Sequence, residues 1–290
     1  MNIEGLVRRG MLVARALGFV FLIYFIPVFL RDLAGQMLPG GGILALLRGT
    51  STMPHIPFLL AVGTGAISAG AVLLYSRNGP EAIQPRPLLS DRRAWLTRWL
   101  WGLAGGMAIV GAAHVVLFAT GIVRFEGFSA TFLERPFVAL AILGTLLVES
   151  LREELAFRGP PQRDLSRAIS FPLAAVFLSG TFTMLHLANP NAHPLSLLGV
   201  FLAGLALAGV VRREGDLALA SGLHAGWNIM LGVILAAPVS GITLGARILE
   251  TEPHGNDRWT GGAFGFEASW PGIFTLFLAG YFAWRSRPRA

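Results

Sequence analysis

Leu195-Ser196-Leu197-Leu198-Gly199-Val200-Phe201-Leu202-Ala203-Gly204-Leu205-Ala206-Leu207-Ala208-Gly209-Val210-Val211 runs for 17 residues without a charge and stops at Arg212-Arg213. About 20 mostly apolar residues cross the hydrocarbon core of a bilayer as a helix, so this stretch reads as a membrane span. On either side of it seven further segments have the same character, and the spans are expected at about 11–30, 54–76, 96–120, 136–157, 170–190, 195–211, 216–236 and 269–285. The fold class is therefore expected to be all-α, a polytopic membrane helix bundle with about eight transmembrane helices. The first span follows Arg8-Arg9, is rich in aromatic residues and is not followed by a small-residue cleavage site. It reads as a retained span rather than a signal peptide.

Composition agrees. The 290 residues are 54% hydrophobic and only 13% charged, with a mean hydropathy of +0.63. Soluble domains carry about 25% charged residues, so a water-covered exterior and intrinsic disorder are both excluded. The net charge of +7 comes from arginine alone, since no lysine is present. With the N-terminus inside, 15 arginines fall on the cytoplasmic side (Arg8, Arg9, Arg77, Arg86, Arg92, Arg93, Arg98, Arg158, Arg163, Arg167, Arg212, Arg213, Arg285, Arg287, Arg289). Six fall opposite (Arg31, Arg48, Arg124, Arg135, Arg247, Arg258). That bias is the positive-inside pattern, so it argues for two cytoplasmic termini and gives no reason to invoke nucleic acid. The absence of cysteine excludes disulfides, thiolate metal sites and a cysteine nucleophile. A Pro-rich loop at 77–94 and a longer outer loop at 237–268 separate spans; glycines such as Gly102, Gly106, Gly204 and Gly209 recur at helical spacing and allow close helix packing. The chain reads as one membrane-embedded domain over 1–290, with polar motifs confined to 136–236 and no assignable motif in 1–135.

Ionisable residues inside spans are expensive and mark function by default. Glu149, Arg152, Glu153, Glu154 and Arg158 crowd the end of the fourth span, where Glu154 and Arg158 are spaced i, i+4 and can pair. Glu153 sits about 100° around the helix and needs another partner. His186 closes the apolar run 177–185, and His224 and Asn228, again i, i+4, share one helix face. Each taken alone also has a structural reading, as a solvated helix end or a hydrogen-bonded core histidine. If the fourth helix continues, kinked at Pro160-Pro161, to a turn near Ser170, Glu153 and His186 stand at one depth; if it ends at Gly159, they miss each other.

The strings Glu153-Glu154-x-x-x-Arg158, Phe182-x-x-x-His186 and His224-x-x-x-Asn228 resemble the three motifs of the CPBP intramembrane proteases, which include type II CAAX prenyl endopeptidases and bacteriocin-immunity (Abi) proteins. The resemblance implies a buried chamber, open to the cytoplasm or the inner leaflet, in which Glu153 is the general base and His186 positions the water. It further implies that His224 and Asn228 stabilise the oxyanion and that Glu154 and Arg158 hold the motif in shape. A carboxylate and polar donors in an apolar chamber suit those roles.

Metal-free, glutamate-dependent hydrolysis is favoured because the string H-E-x-x-H is missing; the alternative is zinc held by Glu153, His186 and His224. The expected partners are a peptide or membrane-protein substrate and the lipid bilayer, with Arg163 and Arg167 near the chamber mouth. The compact chain points to a bacterial inner membrane. The competing readings are a non-catalytic immunity or scaffold protein that binds a peptide through the same cluster, and a solute transporter, which the lack of paired broken helices disfavours. The outer-loop glycines at 261, 262 and 265 and His55, His114, His193 and His254 are read as turn, packing or loop residues without chemistry.

Overall fold

The computed structural model describes residues 3–25, 29, 33, 43–48, 55–77 and 91–287. The Pro-rich loop and the end of the first expected span lie largely outside them. The principal helices are α1 (Ile3–Val20), α2 (His55–Arg77), α3 (Arg92–Ala119), α4 (Pro136–Arg158), α5 (Pro160–Ala168), α6 (Phe171–Leu185), α7 (Pro194–Glu214), α8 (Ala218–Ile229) and α9 (Trp270–Arg285). The chain is an all-α polytopic membrane bundle, and every expected span is helical over its described part. Among the described residues, three helices (Arg92–Ala119, Phe171–Ala188 and Pro194–Glu214) are long and apolar enough to cross a membrane.

The helix starts follow from local chemistry. Helices α4, α5, α6, α7 and α9 carry proline in their first turn, where the missing N–H has no intrahelical partner to lose. Asp91 caps α3 by accepting from the Ala94 N–H at 2.9 Å, and Ser269 caps α9 by accepting from the Gly272 N–H at 3.0 Å. Helix α7 ends at Gly215, whose φ of +76° is the left-handed cap that glycine adopts without penalty.

The tightest crossing joins α3 to α8. A Cβ at Gly102 would lie 2.4 Å from the Leu219 carbonyl oxygen, and one at Gly106 would lie 2.2 Å from that of Leu223. From the other helix, Gly222 and Gly226 stand equally close to the Trp99 and Leu103 carbonyls. Two small-x-x-x-small faces thus press backbone on backbone, as the glycine spacing leads one to expect.

Two features differ from expectation. Helix α4 does not run through Pro160-Pro161: it stops at Arg158, and Gly159 turns out of the helix with ψ −133° before α5 begins. A residue preceding proline is pushed out of the α region, and neither proline can donate the hydrogen bond that would carry the helix on. The outer loop, expected to be irregular, contains a strand, β2 (Leu249–Pro253), which pairs antiparallel with β1 (Val123–Phe128). It also folds back onto the bundle through a 3₁₀ turn, Phe266–Ala268, ahead of α9.

Candidate active site

The last turns of α4 carry the acidic motif. Glu154 is fully buried, and its Oε1 accepts from Arg158 Nη1 at 3.1 Å and from His224 Nδ1 at 2.9 Å. The i, i+4 pair expected from spacing is present, and the same carboxylate oxygen also binds a histidine on α8. The Arg158 guanidinium sits 4.5 Å from the centre of the Phe182 ring. Gly204 on α7 makes room for it, since a Cβ there would lie 2.9 Å from Arg158 Nη2.

Glu153 faces the other side of the same imidazole, its Oε2 3.7 Å from His224 Nε2. The Tyr24 hydroxyl, from the π-helical turn Phe21–Phe25 that follows α1, donates to Glu153 Oε1 at 3.5 Å. The Tyr24 ring is held from below by the Arg152 guanidinium, 4.4 Å from its centre, and Arg152 is itself paired with Glu149. His224 therefore stands between two consecutive carboxylates of α4. Because Nδ1 must donate to the Glu154 carboxylate, Nε2 is the nitrogen that faces Glu153.

His186 caps the end of α6, where its Nδ1–H donates to the Phe182 carbonyl at 2.8 Å and leaves Nε2 without a partner among the described residues. Asn228, one turn after His224, donates from Nδ2 to Ser150 Oγ at 3.5 Å. His186, His224 and Asn228 line one cavity of about 100 Å³, whose other walls come mainly from apolar residues of α3, α7, α8 and α9.

Glu153 is not among the residues lining that cavity and makes no hydrogen bond or ion pair with His186 among the described residues; it meets His224 Nε2 instead. The expected chamber between the fourth, fifth and seventh spans is thus corrected. Its walls come from α3 and α6 to α9, and α4 reaches it through the imidazole because Glu154 and Glu153 both turn toward α8. The continuous helix assumed in setting Glu153 level with His186 is absent, since α4 ends at Arg158 and α5 starts at Pro160.

Among the described residues, the one group of three acid or histidine ligand atoms lying within 4.8 Å of one another is Glu126, Glu252 and His254, on the exposed β-ribbon. Glu153, His186 and His224 do not meet that spacing.

Of the residues read as structural, His114 is buried with Nδ1 donating to the Val110 carbonyl at 3.0 Å, as packing requires. Arg163 and Arg167 are exposed on α5. The side chain of His55 lies outside the described ones.

Sequence reading missed three contributors: Tyr24, and the outer-loop residues Ser240 and Glu267, which line the cavity beside His186 and His224. In the outer loop the glycines and His254 are read from sequence as turn or loop residues without chemistry. The one sequence signal that bears on Glu267 is an acid two residues before the expected start of the last span, at a position where interfacial residues are ordinarily polar.

Residues 135–230, about a third of the chain, match the family model described as Rce1-like, type II CAAX prenyl endopeptidase Rce1-like. No curated protein and no solved structure matches the chain. The matched segment contains all three motif strings and both sides of the Glu154–His224 contact, so the similarity to the Rce1-like type II CAAX prenyl endopeptidase model falls on the residues that build the site.

Proposed function

We propose that the chain is an intramembrane endopeptidase that hydrolyses a peptide bond with water activated at Glu153 and His224. The observation that carries this reading is the clasp of two consecutive carboxylates on one imidazole, 2.9 Å and 3.7 Å away, at the wall of a largely apolar cavity. In this reading Glu154, committed to Arg158 and His224, fixes the tautomer and plane of the imidazole. Glu153 accepts a proton from water in the gap beside His224 Nε2, and the hydroxide adds to the substrate carbonyl. The Asn228 amide then donates to the oxyanion, joined by the imidazole when Nε2 also carries a proton, in a site where each preorganised donor is worth about 10²–10³ in rate. The proton taken by Glu153 passes to the departing amine as the C–N bond breaks. His186, its Nδ1–H engaged by Phe182, offers Nε2 to orient water or substrate.

The arginine distribution supports two cytoplasmic termini, the compact chain suits a bacterial inner membrane, and exposed Arg163 and Arg167 suit anionic headgroups on the cytoplasmic side. The decisive comparison is Glu153→Gln against wild type, read by quantitative proteomics of membrane fractions and by cleavage of a peptide library in detergent. Loss of a general base should lower turnover by about 10²–10⁴, with an unchanged melting profile and accumulation of uncleaved substrate. Undiminished cleavage by Glu153→Gln removes it from the mechanism, and peptide binding by wild type without any cleavage favours the non-catalytic reading.

A further inference from the structure

Three acids are buried among the described residues: Glu154, Asp164 and Glu267. Two face a guanidinium of the chain, Glu154 that of Arg158 at 3.1 Å and Asp164 that of Arg15 at 3.7 Å. Glu267, 8% exposed, has none among the described residues. Its Oε2 accepts from the Ser240 N–H at 2.8 Å and from the Ser240 hydroxyl at 2.9 Å, while Oε1 accepts no hydrogen bond from the protein. The side chain lines the cavity shared by His186, His224 and Asn228.

The carboxylate is built in, not stranded. Ser240 holds a positive φ of 45°, which aims its N–H at Glu267, and its own carbonyl accepts from Asn189 Nδ2 at 3.0 Å, three residues after His186. On the other side the Glu267 backbone lies against Gly199, where a Cβ would stand 2.0 Å from the Glu267 carbonyl oxygen. Two donors fix one oxygen and leave the other facing an apolar cavity. Burying a carboxylate without a cation is expensive, and chains avoid it by pairing. Burial pushes the Glu267 carboxyl up from the usual carboxylate range, and the only charges the described residues offer it are the imidazoles of His186 and His224, which are cations only when protonated; a ligand ammonium supplies a permanent one.

We propose that Glu267 forms an ammonium-binding subsite, which takes the primary amino group of a short apolar peptide. The inference rests on the protease reading in one respect: cleavage of a peptide bond in this cavity releases a new amino terminus beside His224. The apolar walls contributed by Val200, Leu207 and Leu276 then receive the side chains that follow that amino group. Nothing covalent occurs at Glu267. Its Oε1 accepts an N–H from the ammonium while Oε2 stays on Ser240.

The test is direct binding by calorimetry to the full chain in detergent, using two probes: the amidated tripeptide Val-Leu-Ala with a free amino terminus, and the same peptide N-acetylated. A hydrogen bond to a charged partner predicts that wild type binds the free amine roughly tenfold more tightly than the acetylated peptide. Glu267→Gln should bring that ratio close to one, whereas Ser240→Ala, which keeps the carboxylate, should retain most of the preference. A wild-type protein that binds both probes equally overturns the subsite without any variant needing to fold, and so does a Glu267→Gln protein that keeps the full ratio. Glu153→Gln, measured in the same way and for cleavage, separates the two claims. Cleavage lost with the amine preference intact supports both. Cleavage retained in that variant refutes the mechanism while leaving the Glu267 subsite standing on its binding ratio.

Discussion

Replacing Glu154 by glutamine should unfold the chain more readily, and the structure sets the size of the effect. The Glu154 and Arg158 side chains are 0% and 1% exposed, and the change keeps the shape of the acceptor while removing its charge. The amide oxygen can still accept from Arg158 or from His224, but the guanidinium is left as a buried cation. Removing one partner of a buried pair in this way costs about 3–5 kcal/mol. Stacking of Arg158 over Phe182 is present before and after the change, so it does not offset the loss. Against a typical domain stability of about 5–15 kcal/mol this is a large fraction. The assay is denaturant unfolding in detergent, followed by circular dichroism, for wild type, Glu154→Gln and the double variant Glu154→Gln with Arg158→Met. The double variant removes the orphaned cation as well and should recover most of the lost stability. Cleavage should stay low in both variants, because His224 has lost the carboxylate that fixes its plane. A single variant as stable as wild type, or a double variant no better than the single one, would refute the reasoning that this pair is a buried charge pair.

Two other perturbations probe the scaffold and the acidic motif separately. Gly106→Ala drives a Cβ to 2.2 Å from the Leu223 carbonyl oxygen and 2.8 Å from the Trp227 nitrogen, so α3 and α8 must separate; a loss of about 1–3 kcal/mol is expected together with impaired cleavage. Gly180→Ala, with nothing within 4 Å of its Cβ, is the control and should unfold like wild type; equal behaviour of the two variants would sink the close-crossing argument. Tyr24→Phe removes the hydroxyl that donates to Glu153 at 3.5 Å but keeps the ring against Phe157 and Arg152. A net hydrogen bond of about 0.5–1.5 kcal/mol corresponds to a roughly 2–10-fold lower kcat at unchanged unfolding midpoint, and wild-type kcat in that variant would remove Tyr24 from the site.

What the sequence discloses here is what lies within one helix. The spans follow from hydropathy, the Glu154–Arg158 pair from a spacing of four, the shared face of His224 and Asn228 from the same spacing, and the close-packing face of α3 from glycines four apart. What joins helices is not disclosed by spacing. Counting residues on either side of a turn to set Glu153 level with His186 assumes a helix continuous through Pro160-Pro161, whereas Gly159, ahead of two prolines, ends it and redirects the chain. The carboxylate found its partner on α8 instead. Tyr24 reaches Glu153 across 129 residues, and no periodicity carries information over that distance. Glu267 was illegible for a further reason: in sequence it stands in a glycine-rich loop, and only the return of that loop against Gly199 makes it a buried acid.

These contacts bear on where the functional unit ends. The matched region stops at residue 230, yet the carboxylate opposite His224 is met by Tyr24 from before it, and the cavity is closed by Ser240 and Glu267 from beyond it. The helix that carries His224 and Asn228 is seated by glycines against α3, which also lies outside the match. His224 falls between Gly222 and Gly226, at the very place where the two backbones are closest. The position of its imidazole is therefore set by main-chain contact, which tolerates almost no adjustment, and its orientation by Glu154. A polar group placed in hydrocarbon gains nothing from solvent and must be fixed by its neighbours. In this chain the fixing elements are drawn from both ends of the sequence, so the motif-bearing segment supplies the chemistry and the flanking spans supply the geometry that makes it usable.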